Sequence, residues 1–460
     1  MSERFDVVVV GARCAGSPLA ALLARRGLRV AVVERATFPR DTLSTHTFQA
    51  QALAFLARLG VAEKIVAAGA TLVGRVDFRQ EDFKFTEAFP QRPGDIGGTT
   101  SIRRHLLDPI LAEAAAEAGA ELRMGTKVTG LVHERGRVAG VRIEREGAQS
   151  TLLARVLVGA DGRSSTVAGL VGARKYNVTA NERFAYWSFF EGATPGPDPA
   201  FVLHRWGERF VVALPADSGL HQAMVMPELR MLASFRADLE GSYMEHMRAC
   251  EPVAEILSGA RRVGKIFGMV RWECYFREAA GRGWVLVGDS GHFKDPCAGQ
   301  GIQDAFRQAE ALAPVIARAL EGSDEAADQA LAEWGAWRDW DAVGHYWLAN
   351  DMGKAGAAPA PVVELGRWLL ERGQLDELVD VFSHRSLPSE VITPPRLIAA
   401  VARLLARPGG DRRGLLRQLG PLVAENARRQ RLNRWPVYAT ADAANGASAS
   451  DGRVAAATAQ

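Results

Sequence analysis

The residues best suited to chemistry cluster between Gly281 and Ala313, where Gly288-Asp289 is followed ten residues later by Gly299-Gln300-Gly301. A carboxylate placed at a strand end accepts hydrogen bonds from sugar-type hydroxyls. Glycines at a helix start let a flat ligand lie directly on backbone N–H groups, and the helix dipole favours negative charge there. A ring that gains negative charge on reduction would suit that position. A second set stands near the N-terminus: Gly11, Ala15 and Gly16, with Glu34 about twenty residues on. There a pyrophosphate can face a helix N-terminus while Glu34 holds the two hydroxyls of an adenosine ribose. Position 13, where this fingerprint carries its middle glycine, is Arg13. Its charge can offset the lost closeness to phosphate, or the side chain can swing outward.

The elements that must position these residues follow from hydrophobic patterning. Val7–Val10 reads as a central parallel strand, Leu19, Leu22 and Leu23 mark one helical face, and Leu28–Val33 reads as a second strand closed by Glu34. Trp284–Val287 is a third buried strand, and Ala305, Phe306, Ala309 and Leu312 recur at helical spacing after Gly301. Ala154–Gly162 is a further strand, ending in Gly159, Asp161 and Gly162, with Ser164, Ser165 and Thr166 as caps for a following helix. Asp41, Ser44 and Thr45 are candidate caps for a helix through Leu53, Leu56 and Leu59. His46, in the loop or first turn, either meets a ligand or simply packs. Arg103 and Arg104 enter a helix that carries Asp108, and an arginine there can reach a phosphate or ribityl chain.

Segments 71–91 and 183–226 alternate apolar and polar residues between Pro and Gly punctuation, the pattern of an antiparallel sheet. Trp187, Phe189, Trp206, Phe210, Met224 and Met226 are expected to give one face a bulky apolar lining, a candidate substrate wall. Residues 360–436 hold further helices, broken at Pro394-Pro395, Pro408-Gly409 and Gly420-Pro421. Nine arginines lie in 403–434. The Gly420-Pro421 break favours a solvated face over one long membrane-surface helix. Residues 437–460 have almost nothing to bury and are expected to be disordered.

Composition sets the outer bounds. The chain has 460 residues, 48% hydrophobic and 24% charged, with a net charge of +3. That excess is too small to argue for nucleic acid. No apolar run reaches the ~18–20 residues of a membrane span, and no secretory signal is visible, so a cytoplasmic setting is expected. Cys14, Cys250, Cys274 and Cys297 have no CxxC spacing, which argues against zinc and against a disulfide framework.

The motifs GARCAG (Gly11–Gly16) with Glu34, RHLLD (Arg104–Asp108), GADG (Gly159–Gly162), and Gly288-Asp289 leading into PCAGQG (Pro296–Gly301) occur in order over residues 4–315. Together they resemble the flavoprotein monooxygenase superfamily of the p-hydroxybenzoate hydroxylase type, which includes flavin-dependent halogenases and geranylgeranyl reductases. The resemblance implies an α/β fold: a Rossmann-like, glutathione-reductase-like FAD-binding domain, an inserted antiparallel-sheet substrate domain and a C-terminal helical region. The expected boundaries are 1–73, 98–176 and 281–345 for the first, 74–97 and 177–280 for the second, 346–436 for the third, and 437–460 for a tail. It implies that Gly11, Arg13, Ala15, Gly16, Glu34 and Arg35 hold the ADP half of FAD. Arg104 would meet the ribityl-phosphate region, and Gly288 and Asp289 the ribityl hydroxyls. Pro296, Gly299, Gly301 and Ile302 would face the isoalloxazine. Asp161 belongs to a motif linked to both FAD and NAD(P)H, but the arginine usual after it is Ala168 here, which puts NAD(P)H handling in doubt. Pro296 and His46 are the candidates for a catalytic role, with His292 a further histidine to consider. Cys297 would lie near the flavin.

The implied activity is hydroxylation or epoxidation of a bulky apolar or aromatic small molecule through a flavin C4a-hydroperoxide, with O2 as co-substrate and NAD(P)H as electron donor. Two alternatives stand beside it: a reductase or dehydrogenase of geranylgeranyl-reductase type, and a non-catalytic FAD-binding protein. Halogenation is disfavoured because no Trp-x-Trp-x-Ile-Pro stretch is present; Tyr186–Phe190 is not one. Whether the C-terminal helices make a homodimer contact stays open.

Overall fold

The computed structural model describes residues 2–439. Its central sheet has eight strands. Five run in the spatial order Trp284–Leu286, Ala148–Gly159, Ser2–Val10, Val30–Glu34, Glu121–Met124, all parallel. The strand Ala280–Gly281 adds to one edge, and Lys127–Glu134 with Arg137–Arg145 forms an antiparallel extension of Ala148–Gly159. Val7, Val8 and Val9 are fully buried, as a strand covered on both faces requires.

Helices Gly16–Ala24, Arg104–Glu117 and Gly301–Ala319 cover one face through a core that includes Leu19, Leu23, Leu107, Leu111, Phe306 and Leu312. Each such side chain, fully buried, stabilises the fold by about 1.5–3 kcal/mol. The helix after Gly301 buries Ala305, Phe306, Ala309 and Leu312, the residues whose spacing announced it.

The second large sheet has seven strands in the order 261–269, 185–191, 221–225, 209–215, 200–206, 75–80, 83–88. One pair, Ala200–Trp206 with Arg75–Gln80, is parallel. The 75–88 hairpin arrives from a distant part of the chain, so no short turn dictates its direction. One face of this sheet packs Trp187, Phe189, Phe201, Leu203, Phe210, Met224 and Met226 towards Cys297, Ala298 and the C-terminal helices. Trp206 does not join them. Strand alternation turns it to the opposite face with Tyr186, Val211 and Tyr243, which corrects the expected lining.

Three more expectations fail for identifiable reasons. The helix Ala50–Leu59 has no side-chain cap, because Thr47–Gln49 first pairs as a strand with Thr99–Ser101. Asp41 instead accepts from the Thr42 N–H at 2.9 Å, and the Ser44 hydroxyl accepts from the His46 N–H at 3.0 Å. The helix Arg412–Arg434 runs unbroken through Gly420-Pro421. It lies on the surface, where water can satisfy the carbonyl that Pro421 cannot pair. Residues 437–439 bridge to the Lys175–Ala180 strand: the Asn177 N–H donates to the Val437 carbonyl and the Ala439 N–H to that of Lys175. The rest of the expected tail, 440–460, lies outside the described residues. Among the described residues no helix is long and apolar enough to cross a membrane, and all four cysteines are buried and free.

Candidate functional site

The parallel register aligns the carboxyl ends of four strands: Val10 with Val33 on one side and Gly159 on the other, and Gly159 with Leu286. Glu34, Gly11, Asp161 and Asp289 therefore emerge along one edge, the position where open α/β sheets bind ligands. Three strand spacings separate the ends that carry Glu34 and Asp289, about 14 Å at ~4.8 Å each.

The first turn leaves no room for side chains. Gly11 adopts φ +105°, and a Cβ there would sit 2.4 Å from the Ala160 carbonyl oxygen. A Cβ on Gly16 would lie 1.8 Å from the Gly11 carbonyl oxygen. A Cβ on Gly288 would come 2.9 Å from the Ala15 Cβ, so the first turn and the Gly288-Asp289 turn touch. The helix Gly16–Ala24 has no side-chain N-cap. The Ser17 N–H already donates to the Arg13 carbonyl at 3.0 Å and Pro18 has no N–H, which leaves the Gly16 N–H without a partner among the described residues and available to an anion.

Glu34 is buried and accepts the Ala12 N–H at 3.0 Å and the Ala36 N–H at 2.9 Å, with lone pairs remaining on each oxygen. Arg35 beside it is exposed. Arg13 turns towards the Arg104–Glu117 helix and donates to Asp108 at 2.7 Å, with its guanidinium 5.4 Å from the Phe38 ring. Arg104 donates to the other Asp108 oxygen at 2.7 Å. Burial alone would lower the pKa of Arg104, but Asp108 overrides it and raises that pKa above its ordinary value. Cys14 sits in the same group, its thiol pushed up to about 12 by burial.

Asp161 spends its carboxylate locally, accepting from the Ser165 hydroxyl and from the N–H groups of Thr166 and Val167. Ser165 in turn caps the helix Thr166–Leu170. Asp289 differs. Its carboxylate receives no donor among the described residues, while its backbone carbonyl accepts from the Tyr275 hydroxyl at 2.8 Å. Burial pushes the Asp289 pKa up to about 6, against the pull of Arg163 and Arg104. A carboxylate so placed lacks the hydroxyl donors that would favour its charge.

Asp295 shapes the following turn by accepting from the Cys297 N–H at 3.0 Å and the Trp272 indole N–H at 3.2 Å. Gly299 has φ +64°, and no atom lies within 4 Å of where a Cβ on Gly299 or Gly301 would stand. Gly299–Gly301 thus presents bare backbone to open space. Ile302 is buried just behind it.

In front of this turn lies a partly open pocket, walled on one side by Pro296, Cys297, Ala298 and Gly299. Phe201, Leu203, Met224 and Met226 form the opposite wall, and Thr45, Thr47, Gln49 and Gln222 supply its polar positions. The Gln222 amide is already spent on Ser101 at 2.6 Å and the Thr45 carbonyl at 2.9 Å. Cys297 is the one ionisable group in the lining, and burial, with Asp295 beside it, raises its thiol well above the ordinary value. His46 stands behind the Thr45–Thr47 wall in a left-handed conformation (φ +59°), edge-on to Phe189 at 5.6 Å. Burial, then the Arg104 charge, lowers its pKa to about 3, so it is neutral near pH 7.

Sequence reasoning missed a buried polar group beneath the turn. Lys294 pairs with Asp304 at 2.8 Å and donates to Gln300 at 2.9 Å. His384 lies 3.1 Å from the other Asp304 oxygen, and the His345 ring is 3.6 Å from that of His384. His292, with pKa lowered to about 3 by burial, belongs to this group and not to the cavity lining. Only a lysine seven residues before the helix that starts at Gly301 signals it in the sequence.

Comparison with known proteins bears on the family and the fold. The FAD binding domain family model matches residues 4–338. Menaquinone reductase of Mycolicibacterium smegmatis is 31% identical over 66% of this chain and 74% of its own length. The 6-methylpretetramide 4-monooxygenase of Streptomyces rimosus is 29% identical, covering 69% of this chain and 77% of its own. The solved structure of the flavin-dependent brominase Bmp2 superposes with a TM-score of 0.71 at 19% identity, over 87% of this chain and 99% of that one, a likeness of fold.

Proposed function

Since the chain belongs to the FAD binding domain family and is a FAD-dependent oxidoreductase, we propose that it is a monooxygenase acting on a bulky apolar or aromatic small molecule. FAD, when bound, supplies the two-electron redox chemistry and the means to activate O2. The residues present fit it. Glu34 has free lone pairs for ribose hydroxyls, and Asp289 has an unspent carboxylate for a polyol chain. Gly299 and Gly301 leave a Cβ-free surface for a ring.

In this reading the turn of Gly11, Ala15 and Gly16 receives the pyrophosphate, with Arg13 and Arg104 adding positive charge. Segments 1–73, 98–176 and 281–345 hold the cofactor, and 74–97 with 177–280 holds the substrate. Backbone N–H groups at the start of the helix Gly301–Ala319 stabilise negative charge that develops on the ring. The cavity between the Pro296–Gly299 turn and the sheet positions the substrate and keeps water out.

The lining of that cavity carries the proposal. Its one ionisable group, the Cys297 thiol, holds its proton tightly. Oxygen transfer needs a dry, apolar compartment and no side-chain nucleophile, since water there drains oxidising power into side reactions. Reduction of a carbon–carbon double bond needs a proton donor at the substrate. Cys297 is the observation favouring that second reading, with a donor made weak by its burial.

The overall reaction is RH + O2 + NAD(P)H + H+ giving ROH + H2O + NAD(P)+. The test supplies 18O2 and NAD(P)H to the purified yellow protein with candidate aromatic and polycyclic substrates. One labelled oxygen per product is expected. Turnover that proceeds without O2 and adds two hydrogens to the substrate would replace this reading with the reductase.

A further inference from the structure

A second, partly open apolar pocket adjoins the first and shares Gln49, Phe201 and Leu203 with it. Phe78, Phe85 and Phe89 form one wall; Leu378, Val379 and Phe382 of the helix Leu375–Phe382 form the roof. We propose that the two cavities are one two-part substrate compartment, in which the second holds an apolar extension, a ring or alkyl chain, of a substrate whose reacting head occupies the first. This rests on the monooxygenase reading only for what happens at the head.

The chemistry of the two linings differs in the way such a substrate requires. The first mixes Thr45, Thr47 and Gln222 with methionines, whereas Gln49 is the one polar residue of the second. Protein interiors pack to the density of organic crystals, so an apolar pocket left unfilled is suited to apolar guests. The wall is stiff: Phe78 stacks on Phe85 at 5.1 Å and meets Phe83 edge-on at 6.1 Å. It cannot easily collapse to fill the space.

Gln49 marks the junction. It is 4% exposed, and one end of its amide meets the Ser383 hydroxyl at 3.3 Å. The other end has no partner among the described residues. An unspent buried amide between an apolar and a mixed cavity suits a polar atom where head and tail join. The roof is also tied to both cavities. Arg92 bridges to Asp376 at 2.8 Å and Asp380 at 2.6 Å, and the Gln300 amide donates to the Phe382 carbonyl at 2.8 Å. Gln300 sits within the turn that faces the first cavity, so an occupant beneath the roof lies one hydrogen bond from that turn.

The probes are 4-n-alkylphenols from ethyl to octyl, titrated into the holoenzyme by calorimetry. Affinity is expected to rise roughly fourfold per added methylene until the second cavity is full. Val379→Trp fills that cavity, so the octyl-to-ethyl affinity ratio should fall towards one. Phe85→Ala enlarges it, so the rise should extend to longer chains. The two variants move the ratio in opposite directions, which a general loss of folding does not. Equal affinity for ethyl and octyl in the wild type, or the same ratio in all three proteins, would overturn the proposal. Binding is read without turnover, so failure of oxygen chemistry leaves this result standing, and the reverse holds too.

Discussion

Arg13 donates to Asp108 at 2.7 Å across 95 positions of sequence, joining the first turn to the Arg104–Glu117 helix. The residue that departs from the dinucleotide fingerprint is therefore folded away from the turn backbone and into an ion-pair group. Arg104 holds the second oxygen of the same carboxylate, so two guanidinium groups share one negative charge. The surplus positive charge lies beside the place proposed for pyrophosphate. Arg13→Ala should weaken FAD binding to the apoprotein about tenfold, about 1.4 kcal/mol, at low salt, as read by flavin fluorescence quenching. The difference should shrink as salt approaches ~1 M, where the Debye length is about 3 Å. Unchanged affinity would mean that Arg13 serves Asp108 alone.

Asp289 couples cofactor binding to pH. With its pKa raised to about 6 by burial, it is partly protonated in the cofactor-free protein at mild acidity. Hydroxyl donors favour the charged form, so FAD binding should release a proton and weaken as pH falls below 6. Asp289→Asn should bind FAD more weakly at pH 7.5 and show no such dependence. Stability carries the opposite sign. The folded carboxyl titrates above its unfolded value near ~3.9, so the folded chain holds extra protons between about pH 4 and 6. Apoprotein stability then falls as pH rises through that window. Asp289→Asn should raise the apoprotein melting temperature at pH 7 while harming cofactor binding, and a fall in that temperature would show that the carboxylate is structural.

How much of this was legible depended on the range of each signal. Glu34, Asp289 and the Gly299–Gly301 turn announce themselves because strand, turn and helix start lie within a few residues of one another. The seven-stranded wall was visible as alternation, yet its face assignment failed at Trp206, since register depends on which strands pair. Gln49, Lys294 and Leu378 were invisible as site residues. Gln49 meets Ser383 across 334 positions, and Gln300 meets Phe382 across 82. Contacts of that separation exist only once the C-terminal helices close over the sheet. The Gly420-Pro421 dipeptide misled because an exposed helix tolerates a missing bond that a buried one does not.

Gly16 and Gly301 should respond oppositely to the same added methyl group. A Cβ on Gly16 meets the Gly11 carbonyl oxygen at 1.8 Å, whereas one on Gly301 meets nothing within 4 Å. Gly16→Ala should therefore lower stability by more than about 3 kcal/mol, at the upper end for strain and overpacking, in urea unfolding. Gly301→Ala should stabilise the apoprotein by roughly 0.5–1 kcal/mol, the helical preference of alanine over glycine. Its methyl group would stand where the ring is proposed to lie, so FAD affinity should drop. Full FAD affinity in Gly301→Ala would place the ring elsewhere.

His46 is neutral near pH 7, with its pKa lowered to about 3 by burial and the nearby Arg104 charge. The pH profile of kcat should therefore lack a limb from His46 ionisation between pH 5 and 9. His46→Asn keeps a residue tolerant of the φ +59° backbone, so it should retain folding and show a profile of unchanged shape. A limb near pH 6–7 that disappears in His46→Asn would identify this histidine as an acid or base in turnover.

Asp304 is the anchor beneath the candidate flavin turn, and its removal tests whether the turn depends on it. Burial would raise its pKa, but Lys294, followed by His384, holds it far below the usual carboxylate range. Asp304→Asn leaves the Lys294 ammonium buried without its partner, which should cost about 3–5 kcal/mol in urea unfolding. The double variant Lys294→Met with Asp304→Leu removes both charges and should recover most of that loss. The acid limb has a definite sign as well. An unfolded carboxyl titrates near ~3.9, so Asp304 contributes stability above about pH 4 and loses it progressively as pH falls. Asp304→Asn should flatten the fall in stability below pH 4. An acid limb as steep as that of the wild type would assign acid unfolding to other carboxylates and leave Asp304 a packing role only.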